Sequence, residues 1–195
     1  MRVQRQNSSS NARAGPRRCG GGSLRTVIFS LLPVLAACAA GAQALSEYQV
    51  KAAFLLNFTK FIEWPAESFA STDSPLNICI LGDDPFGKTL DQLVEGETVN
   101  GRKLTVQRLR GVPPPKSCQV LFISKSEEAV SSILPDLGPG VLTVSDRDGF
   151  LREGGMICLV IEGRHVRFDI NQRAAARASL TLSARMLNVA RIVKK

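Results

Sequence analysis

The 195-residue sequence has one histidine, His165, one tryptophan, Trp64, and one tyrosine, Tyr48. A lone histidine cannot build a multi-His metal cage. Standing beside Arg164 at the start of a strand-like run, His165 reads as an exposed hairpin residue and not as a base. Also missing are G-x-S-x-G, G-x-G-x-x-G and Ser-x-x-Lys. The common forms of nucleophilic catalysis therefore lack their parts. The expectation is a protein that is not an enzyme, with no catalytic residues, no metal and no cofactor.

Acidic residues are missing from the start of the chain. No Asp or Glu precedes residue 45, whereas Arg2, Arg5, Arg13, Arg17, Arg18 and Arg25 do. The formal net charge of +8 is concentrated there, and without those six the chain has 19 basic against 17 acidic residues, a net of +2. The charge argument for a nucleic-acid partner disappears with that segment.

The basic, Ser/Gly-rich opening leads into an apolar run from Thr26 to Ala40, too short to span a bilayer comfortably. Ala42-Gln43-Ala44 follows the small-x-small rule for signal-peptide cleavage, which predicts residues 1–44 as a signal peptide and 45–195 as the mature domain. A second route stays open: Leu35-Ala36-Ala37-Cys38 resembles a lipobox, in which Cys38 would be lipidated and tether the protein to a membrane. Export favours disulfides over metal thiolates. Cys19 and Cys38 fall in the export segment, leaving Cys79, Cys118 and Cys158, whose spacings of 39 and 40 residues match no zinc pattern. Three thiols allow at most one internal pair.

The mature chain is organised around Glu47–Pro65, which holds the only Trp, the only Tyr and three of the nine Phe. A helical wheel gathers Val50, Ala53, Phe54, Asn57, Phe58, Phe61 and Trp64 on one face, with Pro65 as the stop. Asn57 in the middle of that face is expected to be buried and hydrogen-bonded. Strand-like runs follow at 76–81, 103–109, 119–123 and 140–144, interleaved with short helices at 88–94 and at 127–134, the latter closed by Pro135. Residues 156–161 and 165–170 read as a hairpin. Asn171 and Ser183 are placed to cap two C-terminal helices. The predicted fold is a single three-layer α/β domain with a mostly parallel sheet, an antiparallel edge hairpin and a C-terminal helical region.

Gly82-Asp83-Asp84-Pro85-Phe86-Gly87 lies at the carboxyl end of the first of these runs, where open α/β sheets bind ligands. Gly82, Asp83, Asp84 and Gly87 are the candidates for a ligand site, for an anion cradled at the helix start, or for plain loop closure. Near the C-terminus, Met186, Val189 and Val193 point one way and Leu187 nearly the other. That second stripe, with Arg191 beyond it, is the candidate partner surface.

Taken in order, YQVKAAFLLNFTKFIEWP, ICILGDDPFG, TVNGRKL, CQVLFIS, GVLTVSD, GFLREGGMICLVIEGRHVRFDIN and SARMLNVARIV resemble the YfiR-like family of bacterial periplasmic proteins, over nearly all of residues 46–193. The resemblance implies a homodimeric α/β regulator that binds the periplasmic sensor region of an inner-membrane diguanylate cyclase and represses it, lowering cyclic-di-GMP and biofilm formation. It also implies a disulfide between Cys79 and Cys118; the best-studied member's second pair has no counterpart here, since Cys158 has no partner. Two other readings remain: a periplasmic small-ligand module using the Gly82–Gly87 crevice for a nucleotide or anion, and an envelope lipoprotein with a scaffolding role.

Overall fold

The computed structural model describes residues 46–195. The signal-peptide boundary, Cys19 and the Cys38 lipobox lie outside the described residues. The first helix, α1 (Glu47–Phe61), is started by a reciprocal capping box: Ser46 Oγ accepts from Gln49 N while the Gln49 side chain accepts from Ser46 N. Its buried residues are Lys51, Ala52, Leu55, Phe58 and Thr59, a stripe continued by Ile62.

That stripe is rotated from the expected one. Asn57 is exposed, and Val50, Phe54 and Phe61 are only half-buried. The physical reason is Lys51, a charged residue that an apolar count passes over but that lies fully buried between Leu55 and Phe58 on the inward side. Trp64 is not part of the helix. The chain turns extended at Ile62, and β1 (Ile62–Glu63) pairs antiparallel with β9 (Thr181–Leu182), so α1 ends three residues before Pro65 could stop it.

The next elements are β2 (Leu76–Leu81), α2 (Lys88–Val94), β3 (Thr98–Val99) and β4 (Arg102–Leu109). Asn100 and Gly101, at φ 51° and 78°, form the two-residue turn between β3 and β4 that the right-handed twist of a hairpin favours. Then come β5 (Val120–Ile123), α3 (Val130–Asp136), β6 (Leu142–Ser145), β7 (Ile157–Glu162) and β8 (His165–Asn171). Pro135 lies inside the last turn of α3 instead of closing it; a proline there forfeits one donor at a helix end that is already giving way. The chain closes with α4 (Gln172–Arg177), α5 (Ala184–Val189) and β10 (Ile192–Lys194). Asn171 Oδ1 and Ser183 Oγ accept from Ala174 N and Met186 N, so both expected caps are made.

The main sheet has the order β10-β8-β7-β6-β5-β2-β4-β3. Strands β4, β2, β5, β6 and β7 are parallel, and β8 returns antiparallel to β7. The predicted α/β fold with a mostly parallel sheet and an antiparallel hairpin is observed. The hairpin is not the edge, however: β10 lies outside it, parallel to β8.

Alternation along the buried strands divides the core in two. Ile78, Ile80, Val120, Phe122, Leu142 and Val144 pack with Leu55 and Phe58 of α1 and Leu90 and Val94 of α2. Cys79, Leu81, Leu121 and Ile123 pack with Val130 and Ile133 of α3 and with Phe150. Burial on both faces makes β5 a continuous apolar run, while the buried polar residues of β2 and β6, Asn77, Thr143 and Ser145, are each hydrogen-bonded.

Candidate functional site

From β2 the chain passes through α2 to β4 on one side, whereas β5 lies on the other side of β2 and leads through α3 to β6. The carboxyl ends of β2 and β5 are therefore a topological switch point, the position at which sheets of this order hold ligands. The Gly82–Gly87 loop stands there. Gly82 has φ +85°, and a Cβ on it would meet Ser126 Oγ at 2.8 Å and Ser124 Cβ at 3.2 Å. Asp83 N donates to Ser126 Oγ at 2.9 Å. The start of the loop thus packs against the protein's own Ser124–Ser126 turn.

Asp84 is equally engaged. Its Oδ1 accepts from Phe86 N (2.8 Å) and Gly87 N (3.2 Å), and its Oδ2 accepts from Arg108 Nε (2.9 Å). Arg108 also grips both oxygens of Asp91, at 2.7 and 2.6 Å, and the Gly87 carbonyl. Hydrogen bonds from Arg108 hold Asp91 below the usual carboxylate range, and those same bonds hold the guanidinium above its own. The loop is a braced closure, and Gly87 precedes a helix of only seven residues.

A second polar group at the same end of the sheet escaped the sequence reading. Asp146, the residue after β6, is buried with Lys51 of α1. Lys51 Nζ donates to Asp146 Oδ2 and to the Glu47 carboxylate one turn earlier, Tyr48 Oη donates to the same Asp146 oxygen at 3.1 Å, and Lys125 Nζ lies 3.5 Å from it. Lys51 Nζ also stands 4.5 Å from the Tyr48 ring centroid. Burial lowers the Lys51 pKa, but hydrogen bonding to Asp146 and Glu47 outweighs it and the ammonium is held above its ordinary range. Burial, then the charge of Asp146, raises Tyr48. The one local signal for this cluster was the Glu47–Lys51 spacing of four residues.

Cys79 and Cys118 are bonded, with Cα atoms 6.0 Å apart, and both are buried against α3. Cys158 is free and buried; burial, then the charges of Asp169 and Asp148, pushes its thiol up to about 11.

At the C-terminus, Leu187 is half-buried and packs on the core. The exposed apolar residue of α5 is Val189, 62% accessible. It borders an apolar groove of about 290 Å³ walled by Phe54, Phe58, Phe61, Phe168 and Met186, with Asn57 and Arg185 as the polar rim. Arg191 is tied back by a two-pronged pair with Asp169, at 2.8 and 2.5 Å, with Glu162 at 3.8 Å. A wider cleft of about 620 Å³ opens at the amino ends of β6 and β7, between α3 and α4, with Glu153 and Arg177 as its charged residues. Among the described residues no group of three or more His, Cys, Asp or Glu side chains could hold a metal ion.

Residues 48–191 match the YfiR/HmsC-like family model. The chain belongs to the YfiR/HmsC-like family. The YfiR/HmsC-like match begins one residue into α1 and ends at Arg191, so every element from α1 to α5 falls within it and only β10 lies beyond. Membership makes the chain, at the level of the family, a periplasmic regulator of the YfiR type, a class that is regulatory and not catalytic. No helix among the described residues is long and apolar enough to cross a membrane.

Proposed function

We propose that the protein is a periplasmic repressor that binds the periplasmic sensor region of an inner-membrane diguanylate cyclase and so lowers cyclic-di-GMP. The observation that carries this reading is the YfiR/HmsC-like match across 48–191. The braced switch-point loop supports it, because the loop that a small-ligand module would use is tied to Ser126 and to Arg108. Repression requires that the protein bind the inactive state of the partner more tightly than the active state, since equal affinity shifts nothing.

The proposed partner surface is the C-terminal face, now centred on Val189 and the groove between α1 and α5, with Leu187 and Arg191 as its supports. Homodimerisation belongs to the same proposal. The test is crosslinking in cells, purification from membranes, and cyclic-di-GMP measurement with and without the gene. Capture of a transmembrane protein with a cytoplasmic cyclase domain, with higher cyclic-di-GMP on deletion, is the expected result. Unchanged cyclic-di-GMP and no captured cyclase would overturn the reading.

A further inference from the structure

Charge is divided unevenly along the chain. Residues 46–146 carry nine Lys and Arg against thirteen Asp and Glu, a net of −4, and residues 147–195 carry ten against four, a net of +6. The first group supplies β2, β4, β5 and the β3 edge, and the second supplies β7, β8 and the β10 edge. Since β3 and β10 are opposite edges of one sheet, the change of sign along the chain becomes a change of sign across the molecule.

On the basic flank three of the four carboxylates are taken up internally, Asp169 and Glu162 by Arg191 and Glu153 by Arg147. Arg164, Arg167, Arg173, Lys194 and Lys195 are exposed and have no Asp or Glu partner among the described residues. They follow one edge. Lys194 lies opposite Asn171, the cap of α4, and Arg173 Nη2 donates to the Lys195 carbonyl at 3.3 Å. Arg167 stands roughly 13 Å and Arg164 roughly 23 Å further back along β8 from Asn171, at the rise of an extended strand. Between these cations, Ile192 on β10 is 46% accessible, and the register places it on the same face of the sheet as Arg167 and Lys194. Long cationic side chains around an exposed aliphatic residue combine the charge that anionic lipid attracts with an apolar group able to enter the headgroup layer.

We propose that the β10–β8 flank seats on an anionic lipid surface, with lipid phosphates against Arg164, Arg167, Arg173, Lys194 and Lys195 and Ile192 set between headgroups. The chemistry favours lipid over an acidic protein. Lysine is depleted from protein interfaces, and an edge strand ending in two lysines resists strand addition. The cations are exposed and dispersed along the edge, so they suit a fluid sheet of phosphates better than a fixed constellation of carboxylates. Such seating would keep the protein beside a membrane partner whatever that partner's output, and it stands apart from the cyclase proposal.

The test is flotation of the purified protein with phosphatidylcholine vesicles, with and without phosphatidylglycerol, over a salt series. Binding to the anionic vesicles only, weakening as salt rises, is expected. Lys194→Glu with Lys195→Glu should weaken it roughly tenfold or more, and Ile192→Ser should weaken it at unchanged charge. Lys88→Glu with Lys103→Glu, the same charge change on the acidic flank, should leave it near the parent level. Absence of flotation, equal loss in both double variants, or binding to an acidic protein domain but not to vesicles would each overturn the proposal.

Discussion

Lys51 and Asp146 are 95 positions apart in sequence and form a buried ion pair that joins the first turns of α1 to the carboxyl end of β6. Removing one partner strands a charge in the interior. Lys51→Met is expected to cost about 3 to 5 kcal/mol, read as a fall in the urea midpoint, whereas Lys51→Met with Asp146→Leu should recover most of that loss.

The same cluster sets an alkaline limit. The folded-state pKa of Lys51 and of Tyr48 both lie above their ordinary values of 10.5 and 10.0. Above pH 10 the unfolded chain therefore loses protons that the folded one keeps, and stability falls as pH rises. The contribution should be complete below pH 10 and decline above it. A thermal-midpoint series from pH 7 to 11 checks this, with Tyr48→Phe, which removes one of the two titrations, expected to show a shallower decline.

Reduction of the Cys79–Cys118 bond opens a loop of separation 39, for which loop-closure entropy predicts a loss of about 4 kcal/mol. Urea melts with and without reductant measure it. Without reductant, iodoacetamide should label no described cysteine in the native protein, because Cys158 is buried with its thiol pushed up to about 11, and should add Cys158 once the chain is unfolded. Labelling of Cys79 and Cys118 under those conditions would refute the pairing.

Gly82 and Gly111 make a controlled comparison. Gly82 combines φ +85° with neighbours at 2.8 and 3.2 Å, while nothing lies within 4 Å of a Cβ on Gly111. Gly82→Ala should cost about 2 to 3 kcal/mol, and Gly111→Ala should be within about 0.5 kcal/mol of the parent. Equal midpoints would show that the Ser124–Ser126 turn yields freely, and would reopen the crevice as a ligand site.

The two neighbouring residues of the C-terminal helix should separate folding from partner binding. Leu187→Ala, removing a side chain packed on the core, is expected to lower stability by about 1 to 2 kcal/mol. Val189→Asp should leave the urea midpoint nearly unchanged and raise cyclic-di-GMP in cells by relieving repression.

Several features were legible because they depend on local chemistry. The strand-like runs of β2, β5 and β6 and the caps at Asn171 and Ser183 each follow from a few adjacent side chains. The ordered blocks that resemble the YfiR-like family are likewise a property of the linear chain, and the match across 48–191 agrees with them.

What only the tertiary structure decided are the matters in which distant residues choose between local options. The inward face of α1 turned on a lysine whose partner is Asp146, so an apolar count put Asn57 inside when it is out. The end of α1 was set by pairing of Ile62 with Leu182, not by Pro65. The edge of the sheet was set by β10 docking on β8, and the exposed apolar residue of α5 by which side met Phe58 and Phe168. In each case the local preference is worth a kcal/mol or so, less than the burial or ion pairing that a contact across the fold supplies.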